Sequence, residues 1–215
     1  MGQYDTERLT ADLLPRVGTR WCGYEKKALE IRKMAGFGLS DRFEPERLAQ
    51  ILNFHILKFT TIAGLPDNVR EIISTSDQWS GAAIPTNPDV DGHAGLIIIN
   101  DLHSNRRQRA TLMEEICHLL LGHRPSRIDQ RGRTYDHQIE EEAYAIGAAT
   151  LLPFKPLREM VESNYPVRYV ADYFDVSKQL VNYRLRVLGI RPARPSPPST
   201  DQTSMDQDVR LSDGS

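Results

Sequence analysis

The residues best suited to chemistry lie in the stretch Ala110-Thr111-Leu112-Met113-Glu114-Glu115-Ile116-Cys117-His118-Leu119-Leu120-Leu121-Gly122-His123. Against the metal-binding pattern H-E-x-x-H it supplies Glu115 and His118 and carries Glu114 in place of the first histidine. On an α-helix, residues four apart share a face, so Glu114 and His118 can hold one ion together. Glu115 stands one step round, where a carboxylate can act as general base toward water. Carboxylate and imidazole are both ordinary zinc ligands, so the replacement alters the donor set without abolishing its logic. Two adjacent glutamates on a helix are more often a solvated face, and one histidine among leucines is more often structural. The setting weighs against that reading: Ile116, Leu119, Leu120 and Leu121 flank His118, and carboxylates on a buried helix need partners.

A second constellation strengthens the metal reading. His137-Gln138-Ile139-Glu140-Glu141-Glu142-Ala143-Tyr144 opens another helical stretch about 20 residues beyond His118, the distance at which a third, carboxylate ligand arrives in glutamate-type zincins. Three acids at a helix start also complement the helix dipole, which accounts for one or two of them. Three in a row, ahead of the small residues Ala143, Ala145, Gly147, Ala148 and Ala149, favour a site against a closely packed neighbouring helix.

From about Cys22 to Ile190 the chain resembles the ImmA/IrrE-type metallopeptidases of bacteria, phages and mobile elements. The resemblance rests on Glu115 and His118, and on Glu142-Ala143 leading through Ala148 to Leu151-Leu152-Pro153. It continues in Val176-Ser177, Tyr183-Arg184-Leu185 and Leu188-Gly189. It implies a metal-dependent endopeptidase acting on a protein substrate, typically a helix-turn-helix repressor of the same mobile element or stress operon. It also implies Glu115 as general base, with His118 and Glu140 as ligands and Glu141 or Glu142 as less favoured third ligands. The departure is Glu114, where the family usually shows histidine. Three outcomes follow: a site with two carboxylates and one imidazole, recruitment of another histidine, or a degenerate enzyme. The last would be a regulator that binds DNA or a repressor without cutting.

His123 is the obvious recruit. It lies about 140° round an ideal helix from His118, so it shares the site only if the helix ends at Gly122 and the chain swings back. Otherwise it sits behind the ligands or on the surface. His137 precedes Glu140 by three residues and faces the same way; His55, His93 and His103 have no partners at ligand spacing. Cys117 points off the ligand face and reads as core packing. A donor set of two carboxylates and one imidazole is harder than the usual two-histidine set. Zinc is the first expectation, and manganese or iron is admitted beside it.

The elements that must position these residues read as α+β, a zincin-like core of a small, mostly antiparallel sheet plus active-site helices. Helices are expected over Tyr24 to Met34, with Ala28, Ile31 and Met34 at helical spacing, and over Phe43 to Leu57. Strands are expected over Lys58 to Ile62, Trp79 to Ile84 and Ala94 to Ile99, the last two an antiparallel pair across a turn-rich connector. The strand from Leu96 to Asn100 is expected to bind an extended substrate along its edge. Ser104 or Asn105 opens the motif helix, Gly122 and Pro125 stop it, and a second long helix spans His137 to Leu152 before Pro153. Residues 1–21 read as a poorly ordered or partly helical extension, 22–164 as the metallopeptidase-like core, and 191–215, rich in proline and polar residues, as a disordered tail.

Over 165–190 the cadence is helix, tight turn, helix, with Ser177 capping the second. Eight basic residues oppose four acidic ones across 155–195. DNA contact by the second helix is therefore one reading; a helix-turn-helix-like segment packed on the core is the favoured one. The whole chain speaks against a general nucleic-acid binder, since 27 Lys and Arg face 29 Asp and Glu among 215 residues. The longest apolar runs, Leu96-Ile97-Ile98-Ile99 and Leu119-Leu120-Leu121, are far short of the ~20 residues that cross a bilayer. With no signal-peptide pattern at the start and two isolated cysteines, the expected location is the cytoplasm.

Overall fold

A computed structural model describes residues 13–75, 79–123, 128–129, 132–133 and 136–191. The extension expected over 1–21 and the tail expected over 191–215 fall largely outside the described residues. The first helix, α1, runs from Thr19 to Met34, starting five residues ahead of the expected Tyr24. Ala28 and Ile31 are buried as the spacing predicts, whereas Met34 is half exposed. The buried side of α1 also carries two charges, Glu25 and Arg32.

The expected helix over Phe43 to Leu57 is corrected. Helix α2 covers only Pro45–Ile51 and opens with Pro45, where a missing N–H does no harm. Asn53 then takes the left-handed conformation at φ 55° and turns the chain into strand β1, Phe54–Lys58. The strand signal at 58–62 is likewise displaced: Phe59–Thr61 is a 3₁₀ turn closing β1, with Phe59 buried. Helix α3, Asp67–Thr75, has no counterpart in the sequence reading.

Strands β2, Gly81–Pro85, and β3, Gly95–Ile99, are the expected antiparallel pair, with Gly81 opposite Ile99 and Pro85 opposite Gly95. Their connector contains a short helix, α4, Pro88–Asp91, capped by the Asn87 side chain and closed by Gly92. The sheet is nevertheless mixed rather than mostly antiparallel. Its order is β1-β3-β2, and β1 pairs with β3 in parallel, Phe54 beside Gly95 and Lys58 beside Ile99. A parallel neighbour needs a long crossover, here supplied by the 3₁₀ turn, α3 and β2. One consequence overturns the expected substrate edge: β3 is bonded on both sides, so it has no edge to offer. Two-residue strands β4, Ile128–Asp129, and β5, Gly132–Arg133, pair with each other.

The motif helix, α5, runs Asn105–Leu120, and its buried face of Leu112, Met113, Ile116 and Cys117 packs on the sheet and on helix α6, His137–Leu151. Asp136 caps α6, accepting from the amides of Gln138 and Ile139. The small-residue run after Glu142 is buried, and a methyl group at Gly147 would lie 3.4 Å from the backbone of Met113 and Glu114. At Gly147, α6 thus lies in direct van der Waals contact with the metal-motif turn of α5.

Three further helices complete the body: α7, Phe154–Glu162; α8, Val167–Phe174; and α9, Lys178–Val187. Ser177 caps α9, accepting from Leu180 N at 3.1 Å. The chain turns between α8 and α9 at Asp175, φ 52°, whose carboxylate is engaged by Arg42, Arg106 and Arg109. Inside, Arg184 of α9 donates to Glu25 Oε2 of α1 at 2.6 Å and to Leu152 O at 3.0 Å, while Glu25 Oε1 accepts from Phe154 N at 2.6 Å. One buried ion pair thus joins the first helix, the α6–α7 junction and the last helix. No helix among the described residues is long and apolar enough to cross a membrane.

Candidate metal centre

Glu114 and His118 stand one turn apart on α5, and α6 delivers Glu140 in its first turn. One ligand atom from each of the three lies within 4.8 Å of the others. His118 Nε2 is 3.5 Å from Glu140 Oε2. Around a tetrahedral zinc with bonds of ~2.1 Å the donors stand ~3.4 Å apart, so small side-chain rotations suffice to close the set on an ion. Burial, and then the charge of Glu140, pushes the Glu114 carboxyl up to about 7. Two facing carboxylates, one of them desolvated, with an imidazole alongside, suit a divalent cation: it would repay the desolvation and remove the repulsion. The chemistry of the donors and their convergence both fit a metal.

Glu115 points toward the sheet. A methyl group built at Gly81 of β2 would come within 3.2 Å of Glu115 Oε1, 2.7 Å of Thr111 Cγ2 and 3.1 Å of Ile98 O. Glycine at the start of β2 therefore leaves the space in which this carboxylate sits, between the motif helix and the outer strand.

The remaining acids of the cluster go elsewhere. Glu141 pairs with Arg20 of α1, and Glu142 accepts from Lys27 Nζ of α1 at 2.6 Å. His123 does swing back. Helix α5 ends at Leu120, Gly122 adopts φ 66°, and His123 N bonds His118 O at 2.9 Å. Its ring meets that of His118 edge to face, with Nδ1 of each 3.1 Å apart, and its Nε2 lies 3.7 Å from Glu142 Oε2. His123 is thus brought to the back of His118 rather than into the Glu114–His118–Glu140 group. His137 is exposed. His55 and His93 stack on each other at 5.4 Å near one end of the sheet. Cys117 is fully buried, which pushes its thiol above the ordinary range, in keeping with packing.

Lys27, Gly81 and Tyr144 escaped the sequence reading. Tyr144, one turn beyond Glu140, has its hydroxyl pushed up by burial and by the Glu114 charge. Its place on the Glu140 face was readable from the i, i+4 spacing; the reach of Lys27 across to α6 was not.

The family model of Peptidase_M78, the IrrE N-terminal-like domain, matches residues 72–186, more than half of the chain. The matched span takes in β2, β3, α5 and α6 and so all of Glu114, Glu115, His118 and Glu140. It starts well inside the wider region, from Cys22, over which the resemblance was read. No curated protein matches the chain.

Proposed function

The chain belongs to the Peptidase_M78 family, and from that premise we propose that it is a metal-dependent endopeptidase in which Glu114, His118 and Glu140 hold the ion and Glu115 is the general base. The observation that carries the reading is the meeting of three ligand atoms from two helices within 4.8 Å, inside the family match. When bound, a divalent ion supplies Lewis-acid polarisation of the scissile carbonyl and acidifies water. Glu115 takes the proton of the attacking water and passes it to the leaving amine, a role its carboxylate can fill from the neighbouring position on the helix. Zinc is the first candidate, and the two carboxylates make manganese or iron workable alternatives.

An extended peptide finds a strand partner in β2, whose other side is not bonded to any strand among the described residues. Glu115 beside Gly81 stands at the head of that strand. The substrate we propose is a regulatory protein such as a helix-turn-helix repressor. The helices α8 and α9 act in this reading as a packing module, because Arg184, one of the basic residues that suggested DNA contact, is buried against Glu25. Incubation of the metal-loaded protein with candidate repressors tests the proposal: cleavage that disappears in Glu115→Gln is expected, and cleavage that persists in it contradicts the assigned base.

A second reading has one specific observation behind it, the glutamate at position 114 where the motif has histidine. It makes the protein a catalytically degenerate regulator that grips a repressor or DNA without cutting. Retention of DNA with a steep salt dependence, unaltered by Glu115→Gln and without cleavage, is the result it expects.

A further inference from the structure

We propose that the tyrosine-lined groove between α7 and α8 is a docking site for this chain's own proline- and arginine-rich run, Arg191-Pro192-Ala193-Arg194-Pro195-Ser196-Pro197-Pro198. The inference stands apart from the metal-site reading. Tyr165, Tyr169 and Tyr173 recur every four residues, from the turn before α8 into that helix, and are 46%, 46% and 47% exposed. Their rings form one ladder. Tyr165 stacks on Tyr169 at 4.6 Å and 18° between planes, and Tyr169 faces Tyr173 at 6.5 Å and 25°. Apolar residues scattered singly over a surface need no explanation; three aromatic rings in a row beside a cavity do. That cavity, about 260 Å³, is walled by the tyrosines and floored by Pro156 and Met160 of α7 and Phe174 of α8.

Aromatic-lined grooves take proline-rich segments because a polyproline II helix is already extended and loses little freedom on binding. Its backbone carbonyls have no internal partners, so they can accept from tyrosine hydroxyls. Glu159 is the one charged residue lining the groove among the described residues, and its side chain is 53% exposed. Lys155 lies 3.8 Å from it, a loose i,i+4 pair that leaves the carboxylate able to meet a second cation. A groove of that sign suits the two arginines of the run. It opposes single-stranded nucleic acid, whose stacking platforms lie in basic channels. The chain also supplies the run at a suitable place. Exposed Arg191 stands four residues beyond the end of α9, and the prolines begin at the next residue. Helix α9 packs on α8 and is ~15 Å long, whereas Pro192 to Pro198 spans ~22 Å as polyproline II, longer than the helix it must retrace.

The contact is read by NMR on the full chain, with tyrosine and proline protonated in a deuterated background. Nuclear Overhauser contacts from the rings of Tyr165, Tyr169 and Tyr173 to Pro195, Pro197 and Pro198 are expected, independent of protein concentration. They should vanish when Pro195→Ala, Pro197→Ala and Pro198→Ala are combined, a change outside the body that forms the groove. A synthetic peptide of residues 191–198, titrated onto both chains, gives the magnitude. Against a tethered competitor at roughly millimolar effective concentration, a peptide that binds at ~0.1 mM should bind wild type ~10-fold more weakly than the alanine chain. In the alanine chain, Tyr169→Ala and Glu159→Lys should each weaken the peptide. Absence of ring-to-proline contacts in wild type, or equal peptide affinity for wild type and the alanine chain, overturns the proposal. Contacts that appear only as concentration rises also overturn it, since they put the run on a second copy. So does displacement of the ring signals by oligo-dT and not by the peptide, which makes the ladder a base-stacking surface. The wild-type spectrum decides even if a groove variant does not fold.

Discussion

At the residue scale, Glu114 is the centre of the account, because it combines burial with a facing carboxylate. Its carboxyl, ordinarily near 4.5, is pushed up to about 7 by burial first and by Glu140 second. Between those values the folded chain keeps a proton that the unfolded chain releases, so the metal-free protein loses stability as pH rises through that window. At ~1.4 kcal/mol per tenfold, the loss is at most about 3 kcal/mol, complete near pH 8. Urea unfolding of metal-free protein at pH 5 and pH 8 measures it, and Glu114→Gln should flatten the difference. A metal must displace the same proton, so affinity should strengthen with pH up to about 7 and level off above it. Much at this scale was legible in the sequence. Glu114, Glu115 and His118 sit on one short helical segment, and local spacing carries that information. Gly122 announced the helix end that lets His123 return. Lys27 was not legible, because its partner Glu142 lies 115 residues away and neither side chain looks unusual on its own helix.

At the scale of elements, the site depends on the packing of α5 against α6 and on a close approach of α5 to β2 that glycine permits. Gly147 sets α6 in van der Waals contact with the α5 backbone at Met113 and Glu114, and Gly81 leaves room for Glu115 beneath β2. Gly81→Ala should destabilise the protein by ~1–3 kcal/mol through the contact with Thr111 Cγ2 and Ile98 O. It should also lower kcat by displacing Glu115. Thr111→Ser removes the nearest atom, so the double variant should regain part of the stability. Thermal unfolding and kinetics of the single and double variants check both statements. The elements themselves were unevenly readable. The α5 and α6 helices and the β2–β3 pair follow local signals of capping, turn residues and alternation. Strand β1 reads locally as the end of a helix, since Leu52 and Ile56 fit helical spacing. Its strand character comes from pairing with β3, which lies about 40 residues downstream. Missing β1 also gave β3 the wrong place, as an edge rather than the centre.

At the scale of the whole molecule, the near balance of charge concealed how the charges are placed. Arg184 counted as part of a basic surface but lies inside, paired with Glu25 at side-chain exposures of 2% and 0%. Breaking that pair leaves a buried charge alone, so Arg184→Leu should cost about 3–5 kcal/mol, read by urea unfolding. Because the pair ties α1 to α9, the variant should loosen both ends together, seen as faster amide exchange in both helices. Sequence alone could not assign this role, since a glutamate and an arginine 159 residues apart each look like surface helix residues. The central claim is that this body is built around one metal ion held by Glu114, His118 and Glu140. Elemental analysis of protein purified without added metal tests it most directly, on wild type, Glu115→Gln, His118→Ala and Glu140→Gln. About one ion per chain is expected in wild type and in Glu115→Gln, with loss of it in the other two. Absence of metal from both wild type and Glu115→Gln, or its retention in His118→Ala, would contradict the account.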